Sequence, residues 1–136
     1  MIWSRGFVTW VLAMAAESIH GTIRQMFIAP AIGDLAARQL GVVVGSGLVF
    51  VVAWACIRWI NARSFPEQLR VGLFWVALTL IFEVGLGTAL GYSWARILSD
   101  YSVAKGGFMG FGLLFMALVP TLAARARGLD TDDNAD

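Results

Sequence analysis

Charge is scarce in this chain. Only 14% of its 136 residues are Asp, Glu, Lys or Arg, and the net charge is +1. A soluble domain carries about 25% charged residues, so the solvent expected here is not water alone. A near-neutral balance also lacks the basic footprint that nucleic-acid binding needs, and no nucleic-acid partner is expected. There is one cysteine, Cys56. That excludes an internal disulfide and any cysteine-based metal cluster, and inside an apolar run it reads as a small buried hydrophobe. Histidine is equally rare, with His20 alone. Phosphate-loop and dinucleotide fingerprints are missing. Ser18 and Ser46 have no nucleophile motif around them. The N-terminal run carries Glu17 and no small-residue cleavage pattern, so no cleavable signal peptide is expected.

What fills the chain instead is apolar. Hydrophobic residues make up 59% and the mean hydropathy is +0.75. A bilayer core takes roughly 20 mostly apolar residues per helix. Four segments fit, at about 7–28, 41–60, 71–92 and 106–124. The expected fold is an all-α integral membrane protein, a bundle of four transmembrane helices. Between the second and third spans, Ser64, Pro66 and Glu67 have the spacing of a capping box with proline in the first turn. Asp34 and Asp100 are placed to cap the helices that lead into the second and fourth spans. Trp94, Ile97, Leu98 and Tyr101 fall on one face of an interfacial helix. The ending from Gly128 to Asp136 is acidic and reads as a disordered tail.

Basic residues orient such a bundle. Arg5, Arg58, Arg63, Arg70, Arg125 and Arg127 fall on the side of the two termini, and Arg24, Arg38, Arg96 and Lys105 on the other. The bias places both termini in the cytoplasm, most simply at a bacterial inner membrane. Trp3, Trp59 and Trp94 sit near span ends, where an aromatic belt would lie.

The two halves resemble each other. Glu17, Gly21 and Thr22 recur as Glu83, Gly87 and Thr88 at an offset of 66, as do Gly6 with Gly72 and Asp34 with Asp100. Gly45–Phe50 recurs as Gly110–Phe115, and Gly41 as Gly106, at an offset of 65. The pattern predicts two tandem helix pairs, 1–63 and 64–127, with 128–136 as the tail. Parallel repeats are related by an axis along the membrane normal. Glu17 and Glu83 would then lie near midplane, facing each other. Gly41-x3-Gly45, Gly87-x3-Gly91 and Gly106-x3-Gly110 have the spacing of close helix contacts.

The chemistry-bearing residues are Glu17, His20 and Arg24, spaced i, i+3, i+7 along one helical stripe, with Glu83 opposite. Charge facing lipid at midplane costs at least ~2.5–3.5 kcal/mol per group, so the stripe is expected to point inward. Thr22, Thr88 and Tyr92 are possible contributors. Two carboxyls close together in low dielectric cannot both ionise cheaply, so one is expected to hold a proton. The second half has Leu86 and Leu90 where the first has His20 and Arg24, which makes the site lopsided, as a site for an asymmetric ligand would be. A purely structural alternative is a network in which Glu17 or Glu83 pairs with Arg24 and His20 bridges them. Glu17-x-x-His20 has the spacing of carboxylate-bridged di-iron bundles. Those require two such pairs and two further carboxylates, so no metal and no cofactor is expected.

The four-span length and the mid-membrane acid of "AESIHGTIR", Ala16–Arg24, resemble the small multidrug resistance transporters over that segment. The third span departs from them by carrying its own Glu83. The sequence therefore offers three readings. One is a small proton-linked carrier of a small solute, working as a homo-oligomer because four helices are too few to line and seal a path. Another is an intramembrane acid–base enzyme, an isomerase or lyase, acting on a lipid-soluble substrate. The last is an accessory subunit of a larger membrane complex. Membrane lipid is a partner in all three.

Overall fold

The computed structural model describes residues 2–99, 101, 102, 104 and 106–128. The expected cap at Asp100, the basic residue Lys105 and the tail from residue 129 onward lie outside the described residues. The described chain is helical, with no strand. Helix α1 is Ile2–Ile23, continued by a π-helical segment, Arg24–Ile28, and a short helix α2, Ala29–Ile32. The others are α3, Asp34–Ile60, α4, Phe65–Ala89, α5, Trp94–Ser99, and α6, Met109–Ala126.

Three of these, α3, α4 and α6, are long and apolar enough to cross a membrane. The apolar runs predict four. With 22 residues α1 is long enough, but Arg5, Glu17 and His20 dilute its apolar content, and it is not among the three. The helices also begin earlier than the apolar runs alone suggest. Helix α4 starts at Phe65 because Ser64 caps it, its Oγ accepting from Glu67 N at 3.3 Å and donating to Glu67 Oε1 at 3.1 Å. The expected Asp34 cap does not form. Gly33, at φ 94°, occupies the cap position, and a left-handed turn of that kind favours a residue without Cβ. Asp34 instead stands in the first turn of α3 and pairs with Arg38 at 2.9 Å and Arg96 at 3.6 Å. Ser93 caps α5, accepting from Arg96 N.

The long helices pack in cyclic order, α1 on α3, α3 on α6, α6 on α4 and α4 on α1. At one end the packing is tight. Here lie the start of α1, the end of α3, the start of α4 and the end of α6. Ile57, Ile60, Val71, Val119 and Ala123 are fully buried and Trp75 nearly so. The Trp75 indole donates to the carbonyl of Gly6 at 2.8 Å, and the Trp10 indole donates to Thr79 Oγ1 at 3.0 Å. Both tie α1 to α4. Helices α4 and α6 approach closely at Gly72, where a Cβ would collide with the carbonyl of Ala117 in α6. Arginines clamp this end: Arg5 bonds the carbonyl of Trp59 and Arg127 that of Trp54, each guanidinium lying over the corresponding indole. Cys56 is half-buried at the margin of this core rather than inside it.

The outer surface is apolar. Trp3, Phe7, Leu12, Val43, Val51 and Ile81 are all exposed, as are many other large apolar side chains on every long helix. In water that pattern is a liability. Together with three helices of spanning length, it identifies a protein compatible with an integral membrane location.

Candidate functional site

Beyond the level of Met14, Val49, Thr79 and Met116 the four long helices line an open cavity of about 740 Å³. That falls in the range of small-ligand sites, ~300–1,000 Å³. Apolar side chains line its inner end, including Phe82, Phe115 and Val119. Glu17, Ser18, Ser46 and Glu83 line its middle. Arg24, Gln25, Arg38, Arg96, Tyr92 and Tyr101 line the end away from the chain termini.

Of the residues singled out from sequence, Glu17, Arg24, Glu83, Thr22 and Tyr92 line this cavity. His20 and Thr88 do not. The reason for His20 is angular. At about 100° per residue, the residues of α1 and the π-helical segment that line the cavity centre near Met14 and Gln25, with Gly21 close by. Glu17 and Arg24 stand at the edge of that face, and His20 roughly 60° beyond Glu17, outside it. Thr88 spends its hydroxyl on the carbonyls of Val84 and Gly85. Thr22 lines the cavity with its hydroxyl bonded to the carbonyl of Ser18. The Tyr92 ring lies under the Arg96 guanidinium, 5.0 Å from its centroid.

Glu17 and Arg24 face α3, and glycines receive them. A Cβ at Gly45 would sit 2.7 Å from Glu17 Oε2 and 2.9 Å from Oε1. A Cβ at Gly41 would sit 2.6 Å from Arg24 Nη1. The Gly41-x3-Gly45 pattern is therefore not the close helix contact its spacing suggested. It is a pair of seats for an acid and a cation, one helical turn apart. The other two patterns also serve other ends. Gly87 receives Ile97 of α5, Gly91 and Gly106 lie in turns at positive φ, and a Cβ at Gly110 would meet nothing within 4 Å beyond its own stretch of helix. Ile97 is buried by this contact while Trp94 and Leu98 stay exposed, so the four residues expected on one interfacial face of α5 are split.

The two seated groups are incompletely satisfied. Glu17 Oε1 and Arg24 Nε are both shielded from solvent, and neither has a hydrogen-bond partner. Those two atoms are not bonded to each other. Arg24 also begins the π-helical segment, its carbonyl accepting from the amide of Ala29. Such widened turns recur at functional sites.

Several lining residues escaped the sequence reading. Arg38 and Arg96 gather at the cavity's outer end through Asp34, which ties α3 to α5. The i, i+4 spacing of Asp34 and Arg38 was visible, but Arg96 joins only through the fold. Thr79 accepts from Trp10 and donates to Met116 Sδ at 3.2 Å at the cavity's inner end. Among the described residues no group of three or more His, Cys, Asp or Glu could hold a metal ion. The chain matches no protein-family model, no curated protein and no solved structure.

Proposed function

We propose that this protein is a small proton-linked carrier of a small solute, with the cavity as its solute site and Glu17 and Glu83 as its proton-bearing groups. The observation that carries the reading is Glu17 Oε1, shielded beside a cavity of about 740 Å³ and without a partner. A shielded polar atom left unbonded costs about 1–3 kcal/mol, more when charged. A proton or a solute group relieves that cost, and a carrier exchanges the two. A cavity that ends against the packed Val71–Trp75–Val119 core is what a carrier resting open to one side would have.

In this proposal α1 is a fourth transmembrane helix. Its outward side chains Trp3, Phe7, Val11 and Leu12 are as apolar as those of the other three. Of the polar groups that lower its hydropathy, Glu17 is on the cavity side and Arg5 is bonded to the carbonyl of Trp59 at the packed end. The chain is a duplicated helix pair, 1–63 and 64–127, in a four-helix bundle. Support comes from α1 packing on α3 as α4 packs on α6, and from the short helices α2 and α5 at corresponding positions. Both termini face the cytoplasm of a bacterial inner membrane, the side holding the Arg5–Trp59 and Arg127–Trp54 pairs. The working unit is a homo-oligomer, since one chain seals only one end of a path. The closed inner end also favours a second reading, an intramembrane acid–base enzyme on a lipid-soluble substrate, which requires no through-path.

Access separates the two without knowledge of the solute. In a Cys56→Ser background, Thr79→Cys, Ser46→Cys and Leu86→Cys are treated with an impermeant maleimide in right-side-out and inverted vesicles. A carrier labels from both sides, with the ratio shifting under an imposed pH gradient. Labelling from one side under every condition removes the carrier and leaves the enzyme.

A further inference from the structure

Among the described residues, the cavity wall holds one shielded acceptor and one shielded donor without a hydrogen-bond partner, and their spacing is fixed by α3. Glu17 Oε1 accepts nothing and Arg24 Nε donates to nothing. Their side chains rest on Gly45 and Gly41. Cβ positions four residues apart on a helix lie about 5–6 Å from one another, so the acid and the cation are held roughly one turn apart. Each seat accepts its occupant only because it lacks a Cβ. Any larger residue would displace the carboxylate or the guanidinium.

We infer that the ligand of this site is a zwitterion whose charges are separated by about one helical turn, its cationic or donor group on Glu17 and its anionic group on Arg24. The inference rests on the reading of the cavity as a ligand site and supplies its chemical class. A simple amine would leave Arg24 Nε unbonded, and a simple acid would leave Glu17 Oε1 unbonded. A molecule carrying both charges satisfies both atoms at once. Burying a charge is costly unless it is paired, so the site selects against singly charged analogues as well as for the pair. The apolar side chains at the inner end, Phe82, Phe115 and Met116, suit the chain that joins or extends the two charges. Two sources offer this chemistry: a phosphoethanolamine lipid headgroup, and a free amino-acid-like solute.

Equilibrium binding to the full chain in detergent tests the assignment. The probes are glycine, β-alanine, γ-aminobutyrate, 5-aminovalerate and 6-aminohexanoate, with butylamine and butyrate as singly charged controls. Affinity is expected to peak within the series, at least tenfold above glycine. The best member should also exceed both controls at least tenfold. Glu17→Gln and Arg24→Gln should each weaken the best member at least tenfold. Phosphoethanolamine and dioleoylphosphatidylethanolamine then identify the source. Displacement of the probe by this lipid, but not by dioleoylphosphatidylglycerol, points to a headgroup, and displacement by neither lipid points to a soluble solute.

Absence of binding across the series overturns the inference. So does affinity that ignores chain length, equal binding of butylamine or butyrate, or displacement by both lipids alike. The singly charged probes need no variant, so a Glu17→Gln or Arg24→Gln protein that fails to fold leaves the test intact. Binding in detergent requires no transport. A zwitterion that binds without two-sided access therefore ends the carrier reading and keeps this one, and two-sided access with no zwitterion bound does the reverse.

Discussion

Gly45→Ala probes the seat for Glu17 directly. The new Cβ would lie 2.7 Å from Glu17 Oε2, and ordinary contact begins near 3.4 Å, so the carboxylate must retreat by about 0.7 Å. The obstacle is the far end of a side chain, which moves by rotation rather than by separating helices. A rotamer displaced that far costs about 0.5–1.5 kcal/mol. Against this, alanine in a helix interior is favoured over glycine by about 0.8–1 kcal/mol. The two nearly cancel, so Gly45→Ala alone should change stability by less than about 1 kcal/mol. In a Glu17→Ala background nothing occupies the seat, and the same substitution should stabilise by about 0.8–1 kcal/mol. The coupling between the two positions is then about 1 kcal/mol, well above the ~0.3–0.5 kcal/mol within which distant sites add. Gly47→Ala, with no atom within 4 Å of its Cβ, should stabilise by a similar amount in both backgrounds. The cycle is read by reversible unfolding in mixed micelles at fixed composition, followed by tryptophan fluorescence. Additive effects of Gly45→Ala and Glu17→Ala would show that Glu17 does not rest on Gly45, and the fixed spacing of acid and cation would go with it.

Gly72→Ala meets the backbone carbonyl of Ala117, which cannot rotate away, so α4 and α6 must part. A loss of about 1–3 kcal/mol is expected from overpacking, and unchanged thermal stability in detergent would refute the close approach. Thr79→Val removes the acceptor of the Trp10 indole and should cost about 1–3 kcal/mol, with a changed Trp10 fluorescence as the local signature. Ser64→Ala removes the cap of α4 and should cost about 1 kcal/mol, while Asp34→Ala should cost nothing through capping, because Gly33 holds that position. His20→Ala should leave zwitterion binding within twofold of wild type, since His20 does not line the cavity; a tenfold loss in titration calorimetry would refute its placement.

How much was legible depends on the range of the interaction. Helix identity follows from apolar runs and local stop signals, and so do the Ser64–Glu67 cap and the inward position of Glu17 and Arg24. These are set by residues within one or two turns of each other, or by the cost of exposing charge to hydrocarbon. Spacing alone does not specify contact. Three glycine patterns looked alike, yet one seats two polar side chains, one receives Ile97, and one holds a turn at Gly106. The sequence could not distinguish these uses, because the Cβ a glycine lacks matters only to whatever approaches it from elsewhere in the chain.

His20 shows the limit most plainly. The i, i+3, i+7 spacing was right for an ideal helix, but a stripe has width. Which edge of it faces the cavity was settled by the way α1 leans on α3 and α4. The sequence by itself determined an apolar, helical, membrane-suited chain with two acids and an arginine that could not face lipid. Only the tertiary structure decided that two of those groups rest on glycines a turn apart, that the third residue of the stripe looks elsewhere, and that Asp34 gathers Arg38 and Arg96. Periodicity assigns each residue an angle about its own axis, whereas a site is made where several axes meet, and the angles at which they meet are set by packing along their whole length.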